Sequence, residues 1–119
     1  MFGRTSTLAC VIASSCLFGI AQAAASSTQS GIATIYSYRG GKTASGETAH
    51  PAGLTAAHRT LPFGTMVRVT NKRNGRSVVV RITDRGPYGR GRIIDVTPAA
   101  ATRLGFSGIV PVSLDVVTQ

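Results

Sequence analysis

Two runs of alternating residues meet across a turn signal, and they restrict the folds open to this chain. "TMVRVTN" (65–71) puts Val67 and Val69 on one face and Arg68 and Thr70 on the other. "RSVVVRIT" (76–83) puts Val78, Val80 and Ile82 on one face. Side chains alternate sides along a strand, so a period of two predicts one buried and one wet face. Between the runs "KRNG" ends in Asn74-Gly75, which tolerates positive φ and predicts a hairpin.

The same reasoning extends outward. "GIATIYSY" (31–38) opens with β-branched and aromatic residues and predicts a strand. "RIIDV" (92–96) predicts another, and "IVPVSLDVV" (109–117) a last one with Val110, Val112, Leu114 and Val116 inward. Pro111 lacks an N–H and is expected at an edge or bulge. "TPAAATRLG" (97–105) is the one helical signal: Thr97 suits the N-cap, Pro98 the first turn and Gly105 the stop. The sum is a mainly β chain of six or so short strands with one short helix. Such a small sheet buries more surface closed than open, so a barrel is expected.

The N-terminus reads as a leader. Arg4 precedes an apolar run from Leu8 to Ile20, and A-Q-A at 21–23 is a cleavage pattern for a secretory signal peptide. The run is too short for a stable membrane span. The expected organisation is signal peptide 1–23, linker 24–30 and one domain at 31–117, periplasmic or secreted after cleavage. Both cysteines, Cys10 and Cys16, fall in the leader, which leaves the mature chain without disulfides or cysteine-bound metal. Lipid attachment at Cys16 is the minor alternative, because apolar residues continue past it.

The chain carries 13 Lys and Arg against 4 Asp and Glu. That balance calls for an anionic partner. Nucleic acid is the usual one inside a cell, but export turns the expectation to cell-wall glycans, acidic polysaccharide or lipid head groups, with no nucleic acid. With 4 acids and 2 histidines the search for chemistry is short. Asp115 and His50 read as surface residues. Glu47 in "TASGET" reads as a solvated loop carboxylate, His58 as packed or solvated, and Asp84 in "DRGP" as an Asx-turn. Asp95 stands evenly between a strand-end partner for an arginine and a site residue. No zinc spacing or Ser/His/Asp order is present, and no metal or cofactor is expected. Half of the acids, Asp84 and Asp95, sit in the arginine-crowded stretch 81–95.

T-A-S-G-E, L-T-A-A-H, L-P-F-G-T, V-T-N, N-G-R and D-R-G-P follow one another in that order. With them, the chain from about Gly31 to Val117 resembles the double-psi β-barrel domain of the rare lipoprotein A family, the septal ring lytic transglycosylases of bacteria. The resemblance implies a six-stranded double-psi β-barrel with one short helix. It implies endolytic cleavage of β-1,4 MurNAc–GlcNAc bonds in peptide-poor glycan strands, leaving 1,6-anhydro-MurNAc ends. The family's functional residues fall on Glu47, His58 and Asp84, and the related expansins bring Asp95 into view. In this reading Asp84 serves as acid and then base, His58 orients it by a hydrogen bond, and Glu47 positions the sugar or shares the proton. Arg81, Arg85, Arg90 and Arg92 are expected to hold the lactyl carboxylates of muramic acid. The chain has no Trp, so sugar stacking falls to Tyr36, Tyr38 or Tyr88. Thr83 stands where the family usually has Asn. Cell-division proteins and amidases are the partner classes such a domain would meet, and the sequence specifies none. The alternative is a non-catalytic, expansin-like module that binds or loosens peptidoglycan; a charge-only adhesin is the third reading.

Overall fold

A computed structural model of the protein describes residues 28–36 and 41–118. The expected signal peptide at 1–23 lies outside the described residues. Six strands and one helix follow in chain order: β1 (Gln29–Ile35), β2 (Thr55–Ala57), β3 (Met66–Asn71), β4 (Ser77–Asp84), β5 (Arg92–Val96), α1 (Pro98–Leu104) and β6 (Ile109–Thr118). They close into a barrel in the order β1-β5-β2-β4-β3-β6. Two pairs, β1 with β5 and β2 with β4, run parallel, and the other four are antiparallel.

The alternation predicted the core. Val67, Val69, Val80 and Ile82 are fully buried, and Ala33, Ile94, Val96, Val112 and Leu104 join them in one cluster. Val116 breaks its pattern at 37% exposure, because the β3–β6 register shifts between Met66 and Val67 beside it. β1 begins at Gln29, so the last two residues of the expected linker are strand, and it ends at Ile35 rather than Tyr38. β2 is only three residues long, inside a segment whose sequence shows no strand period.

The β3–β4 hairpin forms, but through a longer turn than the Asn-Gly signal suggests. The amide of Asn71 donates to the carbonyl of Arg76, the amide of Gly75 donates back to Asn71, and Gly75 takes φ 79°. Two amides of this hairpin reach the helix: Asn71 Nδ2 and Asn74 Nδ2 donate to the Leu104 carbonyl at 2.9 and 3.0 Å. They satisfy a carbonyl that a helix end leaves unpaired. At the other end Thr97 Oγ1 accepts from the Ala100 amide. Pro111 is at no edge, since the barrel is closed. Its carbonyl accepts from Lys72, just past the end of β3, so the missing N–H points where the neighbouring strand has already turned away.

Candidate active site

The register places four residues in one transverse row. Ala57 of β2 pairs with Asp84 of β4 on one side and with Asp95 of β5 on the other. Asp95 in turn pairs with Thr34 of β1. Ala33, Ala56 and Ile94 belong to the core, so by alternation Thr34, Ala57 and Asp95 face outward. The two aspartates are thus separated at Cα by two strand spacings, about 10 Å. Ala57, itself buried, is the residue paired between them.

Their surroundings differ. Asp84 accepts a short hydrogen bond from the Tyr36 hydroxyl on Oδ2, and the amides of Ala44 and Arg85 donate to Oδ1 at 2.9 Å. Burial alone would push this carboxyl up. The three hydrogen bonds and the Arg85 charge outweigh burial and hold it below the usual carboxylate range. Asp95 is pushed the other way. Burial dominates, and the charge of Asp84 adds to it, against a 2.5 Å hydrogen bond from Thr34 Oγ1 and the charge of Arg92. The two carboxyls are thus shifted in opposite directions. Tyr36, donating to Asp84, has its own pKa pushed up to about 12; it is a donor to the site at any ordinary pH.

The other residues expected from sequence are arranged differently. His58 leaves β2 directly after Ala57 and is 4% exposed. Its ring does not hydrogen-bond the Asp84 carboxylate; only its backbone amide meets Asp84, at the carbonyl. Nδ1 accepts from the amides of Thr60 and Leu61, which puts the proton on Nε2, 3.0 Å from Gln29 Oε1. Burial, with the charges of Arg85 and Arg59, lowers its pKa and keeps it neutral. Glu47 lies on the exposed 43–48 loop, where Arg81 grips both carboxylate oxygens at 2.5 and 2.8 Å. That bond lowers the Glu47 pKa, so the group is ionised and no proton store.

The arginines divide into two kinds. Arg85 spends its guanidinium on the carbonyls of His58 and Leu61 and stacks 4.0 Å over the Phe63 ring. Arg59, which the sequence did not single out, ties the carbonyls of Pro87, Gly89 and Arg92 together. Both brace the loops around the site. Arg90 and Arg92 are exposed, as is Tyr88 at 74%. Tyr36 is half-buried, and its hydroxyl is committed to Asp84; Tyr38 lies outside the described residues. Sequence reasoning also missed Thr34 and Ala44, because both reach the acids through pairings between distant parts of the chain. Among the described residues no three His, Cys, Asp or Glu cluster as a metal site, and no helix is long and apolar enough to cross a membrane.

Residues 28–114 match the protein-family model described as "Lytic transglycolase". The chain belongs to this family of double-psi β-barrels. It is 57% identical over 93 residues to a "Probable endolytic peptidoglycan transglycosylase RlpA" of Nostoc, covering 73% of this chain and 25% of that protein. It is 51% identical over 90 residues to the "Endolytic peptidoglycan transglycosylase RlpA" of Escherichia coli K12, covering 74% and 25%. The chain thus spans about a quarter of these curated relatives. Among solved structures it is similar to a Streptomyces papain inhibitor (TM-score 0.63, 25% identity, 76% of this chain and 94% of that one). It is equally similar to an expansin of Clavibacter michiganensis (TM-score 0.63, 27% identity, 78% and 52%). An inhibitor and an expansin on one barrel mean that function must be argued from the site and not from the fold.

Proposed function

We propose that this barrel is a lytic transglycosylase that cuts the β-1,4 bond between N-acetylmuramic acid and N-acetylglucosamine in peptide-poor glycan strands. The observation that carries the reading is the aspartate pair flanking Ala57, with Asp84 held ionised and Asp95 pushed toward its protonated form. Groups whose environments separate their pKa values are suited to divide acid and base work. The sequence assigned both tasks to Asp84 alone; its lowered pKa suits it to the base half only.

In this mechanism Asp95 donates its proton to the glycosidic oxygen as the C1–O bond breaks. The muramic acid C6 hydroxyl bonds to C1 and its proton passes to the Asp84 carboxylate. The product is a 1,6-anhydro end, and no water is consumed. The negative charge on Asp84 also favours the oxocarbenium character that develops at C1. The tethered hydroxyl supplies the proximity that a free nucleophile lacks. Proton transfer from Asp84 through solvent to Asp95 resets the site. His58 anchors the strand β2 exit to Gln29, and Arg92 beside Asp95 adds to the positive field that draws an anionic strand in. The substrate lies outside the cytoplasmic membrane, in keeping with the leader expected at residues 1–23.

The test is muropeptide analysis of amidase-treated sacculi. Asp84→Asn and Asp95→Asn should each lower the release of anhydro-ended products by about 10²-fold or more, the usual weight of a general acid or base. Undiminished release from either variant overturns its assignment. The expansin-like fold supports a second reading, a module that binds sacculi and loosens them. It predicts retention on sacculi with no new anhydro ends from the unmodified protein.

A further inference from the structure

A small dent opens off the cleft that runs under the 43–50 loop, and the mechanism above uses neither. The cleft holds about 360 Å³. The dent holds about 10 Å³, room for one group the size of a water or a methyl. Thr43, Ala49, Thr55 and Thr83 line both, so the two spaces adjoin. The walls of the dent are mostly apolar, built from Ala49, Pro51, Ala56, Pro98 and Tyr36. Tyr36 also donates to Asp84, and Thr83 immediately precedes Asp84 in β4, so the dent adjoins that acid.

Thr83 is the unusual member of the lining. It is 4% exposed. Its carbonyl accepts from the Ser45 amide, but among the described residues no hydrogen bond involves its hydroxyl. The other lining threonines differ: Thr97 Oγ1 donates to the Gly53 carbonyl and Thr43 Oγ1 to that of Glu47. A buried hydroxyl without a partner costs free energy, which a ligand with a matching acceptor recovers. An acetamido group carries the matching parts, a methyl for the dent and a carbonyl oxygen two bonds away for the hydroxyl. Every sugar of the glycan has one at C2, so the match holds whichever sugar lies in the cleft. We infer that the dent is an N-acyl subsite: the methyl seats among Ala49, Pro51, Ala56 and Pro98, and the acetamido carbonyl accepts from the Thr83 hydroxyl. The subsite selects N-acetylated strands over strands with bare amino groups, because an ammonium there would be pressed against an apolar wall. The inference rests on the glycan substrate proposed above.

Amidase-treated sacculi are de-N-acetylated and re-acylated to give N-formyl, N-acetyl and N-butanoyl strands, all uncharged at the nitrogen. Binding is read by co-sedimentation with Asp84→Asn, so that no cleavage intervenes. N-acetyl strands should bind about four-fold more tightly than N-formyl ones, the weight of one buried methyl. N-butanoyl strands, too long for the dent, should bind less tightly than N-acetyl ones. Adding Ala49→Leu, which fills the dent from a half-buried position on the loop, should erase the preference for acetyl over formyl. Adding Thr83→Val, the same shape without the hydroxyl, should weaken N-acetyl and N-formyl strands alike by about five-fold, the weight of one hydrogen bond. Thr83→Ser should retain most of that affinity. Equal binding of acetyl and formyl strands, butanoyl binding as tight as acetyl, absence of binding, or a preference that survives Ala49→Leu overturns the subsite. Binding unchanged by Thr83→Val overturns the role of the hydroxyl. Loss of the catalytic reading would appear separately, as an intact acyl preference with no anhydro ends released by the unmodified protein.

Discussion

Tyr36 and Thr34 set the two acids by one hydroxyl each, and their removal moves the two limbs of a pH profile. The Tyr36 bond lowers the Asp84 pKa, so Tyr36→Phe should raise it and shift the acid limb of kcat/KM to higher pH. The Thr34 bond lowers that of Asp95, so Thr34→Val should shift the alkaline limb to higher pH as well. Rates of anhydro-end release against pH check both; a limb that stays in place refutes the role of its hydroxyl. His58 makes a stability prediction instead. Its folded pKa lies below the unfolded value, so protons bind the unfolded chain first. The stability His58 contributes is complete above about pH 6.5 and is lost as pH falls through its folded pKa. His58→Asn, which keeps an acceptor for the Thr60 and Leu61 amides, should flatten the fall in Tm between pH 7 and 5. Sequence could name Asp84, His58 and Glu47 as candidates but not their neighbours. Tyr36 is 48 residues from Asp84 and Thr34 is 61 from Asp95, and no local pattern records such contacts.

The elements legible in the sequence were those whose information is local. The β3–β4 hairpin declares itself by two alternating runs and a glycine. Helix α1 declares itself by a Thr-Pro start and a left-handed Gly105 stop at φ 78°. β2 was not legible: three residues, "TAA", have no measurable period, and what holds them is the pairing with β4 and β5 on either side. The contact between hairpin and helix was equally hidden, since Asn71 is a polar residue closing an alternating run and is in fact buried at 1% exposure. Asn71→Ala removes the donor to the Leu104 carbonyl and the acceptor for the Arg73 amide. It should cost about 1–3 kcal/mol of unfolding free energy, read as a lower urea midpoint. A change below the error of the melt would mean that Asn74 satisfies the helix end alone.

At the scale of the whole molecule, closure of the barrel explains why parallel and antiparallel pairs coexist in so short a chain. Each strand has two neighbours, and Pro111 is tolerated because β3 ends where its N–H would have been needed. Closure was expected from the strand count, whereas the strand order came only from long-range pairing. The order has a mechanical consequence. Both carboxyls are referenced to one alanine on a ribbon three residues long, the shortest span of the barrel. A jaw hung on so small a hinge opens before its frame gives way. Heated slowly, the protein should fall silent on sacculi several degrees before its far-ultraviolet circular dichroism changes, and cooling should restore the lost rate.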